Sequence, residues 1–185
     1  MLVFYITYFI WISSEIVLNR LAKSGHSDEK GKDKNTLLYL WISILSAITF
    51  GVFIASGTFF PMFENNKLKY CGLIIIAIGI TLRFISVKQL GKQFTVDVTI
   101  RHDHELYTGG FYKYLRHPSY SASLLSFIGF GVTLNNWLSL IVVLALPFIA
   151  FLYRMNVEEK VLIERFGEKY KEHIKRTKRL IPFIY

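Results

Sequence analysis

Two stretches of this 185-residue chain concentrate side chains able to bind charge or move protons. Residues 102–120 read HDHELYTGGFYKYLRHPSY, and residues 154–185 are dense in carboxylates, basic groups and tyrosines. In the first stretch, Gly109-Gly110 permits a sharp turn or a close approach of backbone to a ligand. Arg116-His117-Pro118 then stands at the threshold of an apolar run. Proline suits the first turn of a helix, because its missing N–H would be unpaired there anyway. A helix start offers free N–H groups and partial positive charge to an anion. Arg116 beside it can hold a carboxylate or phosphate through two parallel hydrogen bonds. An interfacial Arg-His pair touching lipid headgroups is the competing account.

In the second stretch, Leu162, Phe166, Tyr170 and Ile174 recur every fourth residue, the pattern of an amphipathic helix lying on a membrane or a helix bundle. Gly167 interrupts it, which predicts a kink or two shorter helices. Glu158-Glu159 stands at the predicted start of that helix, where carboxylates suit the helix dipole. The functional account is that one of them faces a cationic cofactor. Arg83, inside an apolar run, is a third candidate, since intramembrane charge is costly. Its place near the inner end also allows snorkelling to the interface. The histidines lack metal-ligand spacing: His102 and His104 are two apart, His117 adjoins Pro118, and no H-E-x-x-H occurs. No metal is expected. A single cysteine, Cys71, excludes an internal disulfide and a multi-cysteine metal site; at the start of an apolar run, a packed thiol is expected.

The elements that must position these residues are membrane spans. The chain is 52% hydrophobic and only 19% charged, against about 25% charged for a soluble domain. Its apolar residues cluster in long runs. A helix crossing the hydrocarbon needs roughly 20 apolar residues, and five segments meet that wholly or nearly: 1–18, 37–60, 70–87, 119–134 and 137–153. The fourth is short, which suits a tilted helix or one partly below the membrane surface. Asn135-Asn136 joins the last two as a hairpin. Pro147 predicts a kink in the fifth that opens space for a ligand. The first segment has no basic n-region and no A-x-A site, so it does not read as a signal peptide, and Glu15 near its inner end reads as interfacial. Residues 24–35 form a polar loop, expected to be mobile.

The net charge of +9 lies in loops flanking the apolar runs, not on a basic stripe with interleaved aromatics. That placement argues against nucleic acid and follows the positive-inside rule. Residues 19–36, 88–118 and 154–185 hold nearly all the Lys and Arg, whereas the loop 61–69 holds only Lys67 and Lys69. The N-terminus is therefore expected outside and the C-terminus in the cytoplasm.

These residues resemble the isoprenylcysteine carboxyl methyltransferases and their prokaryotic membrane homologues, which are related to phospholipid methyltransferases. The resemblance rests on His104-Glu105-Leu106, Gly110-Phe111-Tyr112 and Arg116-His117-Pro118-Ser119-Tyr120. It extends to Glu158-Glu159, Leu162, Phe166-Gly167-Glu168-Lys169-Tyr170 and Arg179-Leu180-Ile181-Pro182. The segment Leu90-Gly91-Lys92-Gln93-Phe94-Thr95 is also similar, so the match covers about residues 90–185. Two departures stand out: His173 where many relatives have a second tyrosine, and Ala122 where a glycine is usual. Either could reshape the acceptor site.

The resemblance implies an all-α integral membrane protein of about five transmembrane helices, with cytoplasmic C-terminal amphipathic helices covering a cofactor pocket. It implies a single domain, 1–185, with three N-terminal spans in 1–87 and the cofactor-binding and catalytic half in 88–185. S-adenosylmethionine would be held by His104, Leu106, Gly110, Tyr112, His117, Pro118, Tyr120, Glu158 and Leu162. A lipophilic small molecule or prenylated substrate would arrive from the bilayer. If that acceptor is a carboxylate it is already a nucleophile, and catalysis is mostly alignment and desolvation. Arg116 would hold the carboxylate, with Glu159 or Glu158 positioning Arg116 or balancing the sulfonium. Three rivals stay open: methylation of a phospholipid amine or hydroxylated lipid, a nicotinamide-dependent reductase sharing R-H-P-x-Y, and a catalytically silent membrane adaptor.

Overall fold

The computed structural model describes residues 2–21, 35–95, 105–182 and 184–185. They form six α-helices: α1 (Leu2–Leu21), α2 (Thr36–Gly57), α3 (Lys69–Leu90), α4 (Pro118–Leu134), α5 (Trp137–Phe166) and α6 (Glu168–Arg176). Among the described residues there is no extended strand, only a single parallel bridge between Leu115 and Lys178. Three helical segments are long and apolar enough to cross a membrane: Thr36–Gly57, Lys69–Gln93 and Trp137–Phe166. The apolar part of α1, Leu2–Leu18, is shorter, and α4 has 17 residues. Phe9, Leu38, Ile42, Phe53, Ile74 and Ile141 point outward, an apolar surface that only lipid solvates without penalty.

The helices approach closely where their residues are small. A Cβ built on Gly129 of α4 would lie 2.7 Å from both the Gly72 carbonyl oxygen and the Ile76 nitrogen of α3. The two backbones therefore touch, as helices in a membrane do at glycine, alanine and serine. α2 and α5 are tied by the Ser139 hydroxyl, which donates to the Gly51 carbonyl at 2.8 Å. Trp11, Leu40, Ile76, Phe127, Phe130, Phe151 and Met155 form the core between the helices.

The α4–α5 hairpin turns on Asn135-Asn136 as expected. Asn135 takes φ 51°, and its amide both donates to and accepts from the Phe63 backbone at 2.9 Å. Asn136 caps α5 by accepting the Ser139 N–H at 3.1 Å. Pro147 is fully buried inside α5, but it borders none of the cavities described below among the described residues.

Several expectations are corrected. α5 runs unbroken for 30 residues, so Glu158 and Glu159 stand more than five turns into a helix, not at its start. The helix dipole, confined to terminal turns, does not account for them. The break falls at Gly167, φ 53°, after which α6 begins. Glu15 and Arg83, read singly as an interfacial and a snorkelling charge, form a pair. They face each other at 2.7 Å with side chains 17% and 13% exposed. That contact lacks hydrogen-bond alignment at Arg83 Nε, while Arg83 Nη1 donates to the Ser119 hydroxyl and carbonyl at 2.8 and 3.1 Å. Cys71 is exposed rather than packed. The polar loop 24–35 lies outside the described residues except for Asn35.

Candidate functional site

Chemistry gathers where the start of α4 meets the charged half of α5. The chain reaches α4 through the 3₁₀ turn Gly110–Lys113. Gly110 sits at φ 54°, a left-handed conformation that glycine adopts freely. Any Cβ there would also collide with the side chain of Gln89, whose Oε1 accepts the Phe111 N–H at 2.9 Å. The turn thus locks onto the end of α3 and buries Tyr112. Burial, reinforced by the nearby Glu158 charge, pushes the Tyr112 phenol well above its usual range, so it stays a neutral donor. Pro118 occupies the first turn of α4, leaving Arg116 and His117 at the helix mouth.

A strap from the C-terminal end, residues 177–180, runs beside residues 114–117. Lys178 N–H donates to the Tyr114 carbonyl at 3.0 Å, Arg116 N–H to the Lys178 carbonyl at 2.8 Å, and His117 N–H to the Arg179 carbonyl at 3.1 Å. The Ser121 hydroxyl donates to the Leu180 carbonyl at 2.6 Å. About sixty residues, running through α4, α5 and α6, separate these partners in sequence, and the strap brings them edge to edge.

Glu159 is the hub. Its carboxylate, 9% exposed, accepts from Arg116 Nε at 2.8 Å and from Arg179 Nε at 3.1 Å, and lies 3.2 Å from His117 Nε2. One buried anion thus gathers three side chains from the α4 threshold and the strap, the good geometry a buried ion pair needs to offset desolvation. Those hydrogen bonds raise the pKa of the Arg179 guanidinium above its ordinary value. Arg116 is committed further: its Nη1 donates to the Thr177 and Ile174 carbonyls at 2.6 and 3.3 Å.

Glu158 points the other way. It accepts the Tyr120 hydroxyl at 2.8 Å, and Tyr120 in turn accepts from Arg154 Nε at 2.9 Å. The His117 ring stacks on Tyr120 (centroids 5.4 Å, planes 13° apart), and Tyr120 stacks on Phe151. A carboxylate beside aromatic faces suits a cationic ligand.

These groups line a cavity of about 850 Å³, open to solvent. Of the residues named from sequence, Leu106, Tyr112, Arg116, His117, Tyr120, Glu158 and Leu162 line it. Gly110, Pro118 and Glu159 do not: they set the turn, the helix start and the ion cluster behind the wall. His104 lies outside the described residues. Arg154, Tyr107, Tyr170, Phe94 and Thr95 also line the cavity, as does His173; Phe94, Thr95 and Tyr170 belong to the segments that carry the resemblance, but none of the five was named as a site residue. Arg154 was legible in part, since it lies four residues before Glu158 and so shares its helix face.

His173, the departure from the related pattern, lines this cavity. Burial, then the charges of Arg116 and His117, lower its pKa from 6.5. A histidine kept neutral in the fold stabilises it above the unfolded pKa, and that stabilisation is lost as pH falls through the lower folded value. Acidification below about pH 6.5 is therefore expected to weaken the wild-type fold more than that of His173→Gln. Thermal unfolding of both proteins across a pH series measures the difference, and parallel curves would refute it.

A second cavity, about 890 Å³, opens between α1, α2, α4 and α5. Its walls are apolar (Trp11, Leu40, Ile44, Ile48, Phe127), with the Glu15–Arg83 pair at one side. Phe94, Thr95, Tyr120 and Arg154 border both cavities.

Comparison with known proteins points to one family. A family described as phospholipid methyltransferase matches residues 68–169. The chain is 34% identical over 154 residues to protein-S-isoprenylcysteine O-methyltransferase B of Arabidopsis thaliana, covering 82% of this chain and 75% of that protein. It is 34% identical over 140 residues to the protein-S-isoprenylcysteine O-methyltransferase of Dictyostelium discoideum, covering 75% and 59%. The solved structure of a eukaryotic intramembrane Ras methyltransferase, isoprenylcysteine carboxyl methyltransferase, superposes with a TM-score of 0.61 at 25% identity, over 80% of this chain and 51% of that one. The chain thus spans between about half and three quarters of the length of these proteins.

Proposed function

This chain belongs to the isoprenylcysteine carboxyl methyltransferase family of integral membrane methyltransferases, and from that premise we propose that it transfers a methyl group from S-adenosylmethionine to the carboxylate of an isoprenylcysteine-type lipid. The observation that carries this reading is that two cavities, one lined by charged and polar side chains as well as apolar ones and one mainly apolar among the helices, share Phe94, Thr95, Tyr120 and Arg154.

The residues present fit the donor. Glu158 and the stacked faces of Tyr120 and His117 suit a sulfonium. Tyr107 and Tyr112, packed edge to face at 5.8 Å, offer aromatic surface to a base. Leu106 and Leu162 exclude water beside them. S-adenosylmethionine bound there would supply an electrophilic methyl carbon to the carboxylate oxygen, its sulfur keeping the electron pair of the broken carbon–sulfur bond, with no proton for the protein to move. The protein's part is alignment in a site with little water. Arg116 serves that alignment from the cavity wall. With Nε and Nη1 committed to Glu159, Thr177 and Ile174, it fixes the strap and the Glu159 carboxylate that also meets His117.

In this reading the donor cavity faces the cytoplasm, with the N-terminus outside, as the distribution of Lys and Arg supports. The match to phospholipid methyltransferases favours one second reading, transfer to a lipid amine. Membranes given methyl-labelled S-adenosylmethionine distinguish the two. A carboxyl methyl ester releases labelled methanol in base, whereas an N-methyl or aryl ether product does not. Base-stable lipid label would overturn the carboxylate reading, and failure of the purified protein to bind S-adenosylmethionine in calorimetry would overturn both.

A further inference from the structure

A third cavity shares no lining residue with the other two: an open groove of about 1050 Å³ along the last turns of α3 and the first turns of α4. Leu82 and Ser86 of α3, Tyr114, Pro118 and Leu125 at and before the start of α4, and Leu180 of the strap form its walls. We propose that this groove holds an acyl chain of an anionic membrane phospholipid, whose phosphate rests on Lys113 and Lys178. The inference does not depend on which acceptor is methylated. Among the described residues, no Asp, Glu, Lys or Arg lines the groove. Its serine hydroxyls are spent within the protein: Ser86 donates to the Leu82 carbonyl at 2.8 Å, and Ser121 to the Leu180 carbonyl at 2.6 Å. An extended peptide seated there would leave N–H and C=O groups without partners, whereas an acyl chain brings none. A helix of a second copy would bring like charge to a basic rim.

The charge at that rim selects the headgroup. The chain segments that build the groove, 82–95, 106–125 and 177–185, contain Lys and Arg but no Asp or Glu. Of these, Arg83, Arg116 and Arg179 face Glu15 or Glu159. Lys113 and Lys178 are exposed beside the walls. The Lys113 amine stands 5.8 Å from the centre of the Tyr114 ring, and Lys178 is bridged to Leu115, both of which line the groove. Tyr114 is 53% exposed and suits the headgroup level, where amphipathic rings collect. From Pro118 to Leu125 the helix rises about 10 Å, so the groove runs from that level into the hydrocarbon, as an acyl chain does. Each lysine near a membrane surface favours anionic lipid by about fivefold. The chain packs against Leu180 of the strap that orients Arg116 and His117, so a component of the bilayer buttresses the site.

The test uses the full chain in nanodiscs of an equal mixture of phosphatidylcholine and phosphatidylglycerol with matched acyl chains. Native mass spectrometry counts the lipid each protein retains on release. Wild type is expected to retain phosphatidylglycerol over phosphatidylcholine by about 10- to 30-fold, the combined effect of two lysines. The double variant Lys113→Gln/Lys178→Gln is expected to lose that preference. Lys169→Gln/Lys175→Gln, which removes the same charge from exposed positions on α6, is expected to keep it. Leu125→Trp, which fills the groove, is expected to retain neither lipid. Equal retention of the two lipids by wild type overturns the assignment. So does an equal loss in the two lysine pairs, which would mark diffuse attraction to a basic surface. Wild-type retention by a folded Leu125→Trp would overturn it as well, and if that variant does not fold the lysine pairs decide alone. A dimer of wild type that disappears in Leu125→Trp would give the groove to a second copy and overturn the lipid assignment.

Discussion

Glu159→Ala is expected to abolish measurable methyl transfer, a loss of at least about 100-fold, and to destabilise the fold by about 3–5 kcal/mol, the cost of stripping one partner from a buried ion cluster. The carboxylate is 9% exposed and holds Arg116, Arg179 and His117 together. Without it, the guanidiniums of Arg116 and Arg179 face each other across one site without the carboxylate that bridges them, and the strap at 177–180 loses its side-chain anchor. Because Glu159 borders neither cavity, its effect reaches the reaction only through the side chains it positions. Arg179→Ala removes a more exposed side chain bonded to Glu159, Asn156 and Tyr185, leaves Glu159 its Arg116 and His117 partners, and is expected to cost less, about 1–2 kcal/mol. Thermal unfolding in detergent, paired with S-adenosylmethionine binding, separates the two variants. Equal stability for both would contradict the hub role.

The second large effect is expected at the helix contact rather than at the site. In Gly129→Leu, a side chain must enter space where even a Cβ would lie 2.7 Å from α3 backbone atoms. Backbone cannot yield as a flexible side chain can, so α3 and α4 must separate. Overpacking of this kind costs about 1–3 kcal/mol or more. The separation would displace Ser119 from Arg83 and tilt the start of α4, which carries Arg116 and His117. Donor affinity should fall together with stability. Gly57→Leu, where nothing lies within 4 Å of the added Cβ, should leave both near wild type. Normal donor binding by Gly129→Leu would show that the α3–α4 contact does not set the site.

Much of this arrangement was legible in the chain before any coordinates. Apolar runs bounded by charge marked the helices closely, because a lipid-facing helix must be apolar nearly all round and its ends must be polar. Gly167 and Asn135-Asn136 announced breaks through their conformational freedom, and the structure turns at each. The cavity residues in the R-H-P-x-Y and E-E segments were likewise readable as types. What could not be read was which neighbour each charge would find. Glu158 and Glu159 are adjacent in sequence but point to opposite sides of α5, one toward the cavity and one toward the strap. Arg83 and Glu15 lie far apart along the chain, and each alone looks like an interfacial charge; their pairing exists only once α1 and α3 are packed. Arg154 looked like the ordinary basic end of a span, although it reaches inward to α2 and α4. Cys71 sat among apolar residues, and nothing in that pattern told a core-facing position from a lipid-facing one.

The strap also carries a consequence for how the molecule is made. Arg116 and His117 leave the ribosome long before the carbonyls of residues 177–179 that orient them. The hydrophobic helices can insert and associate while the catalytic end is still unfinished. Competence for methyl donor would therefore arise in one late step during biogenesis, so that a nascent chain arrested before residue 177 would be fully embedded yet chemically inert.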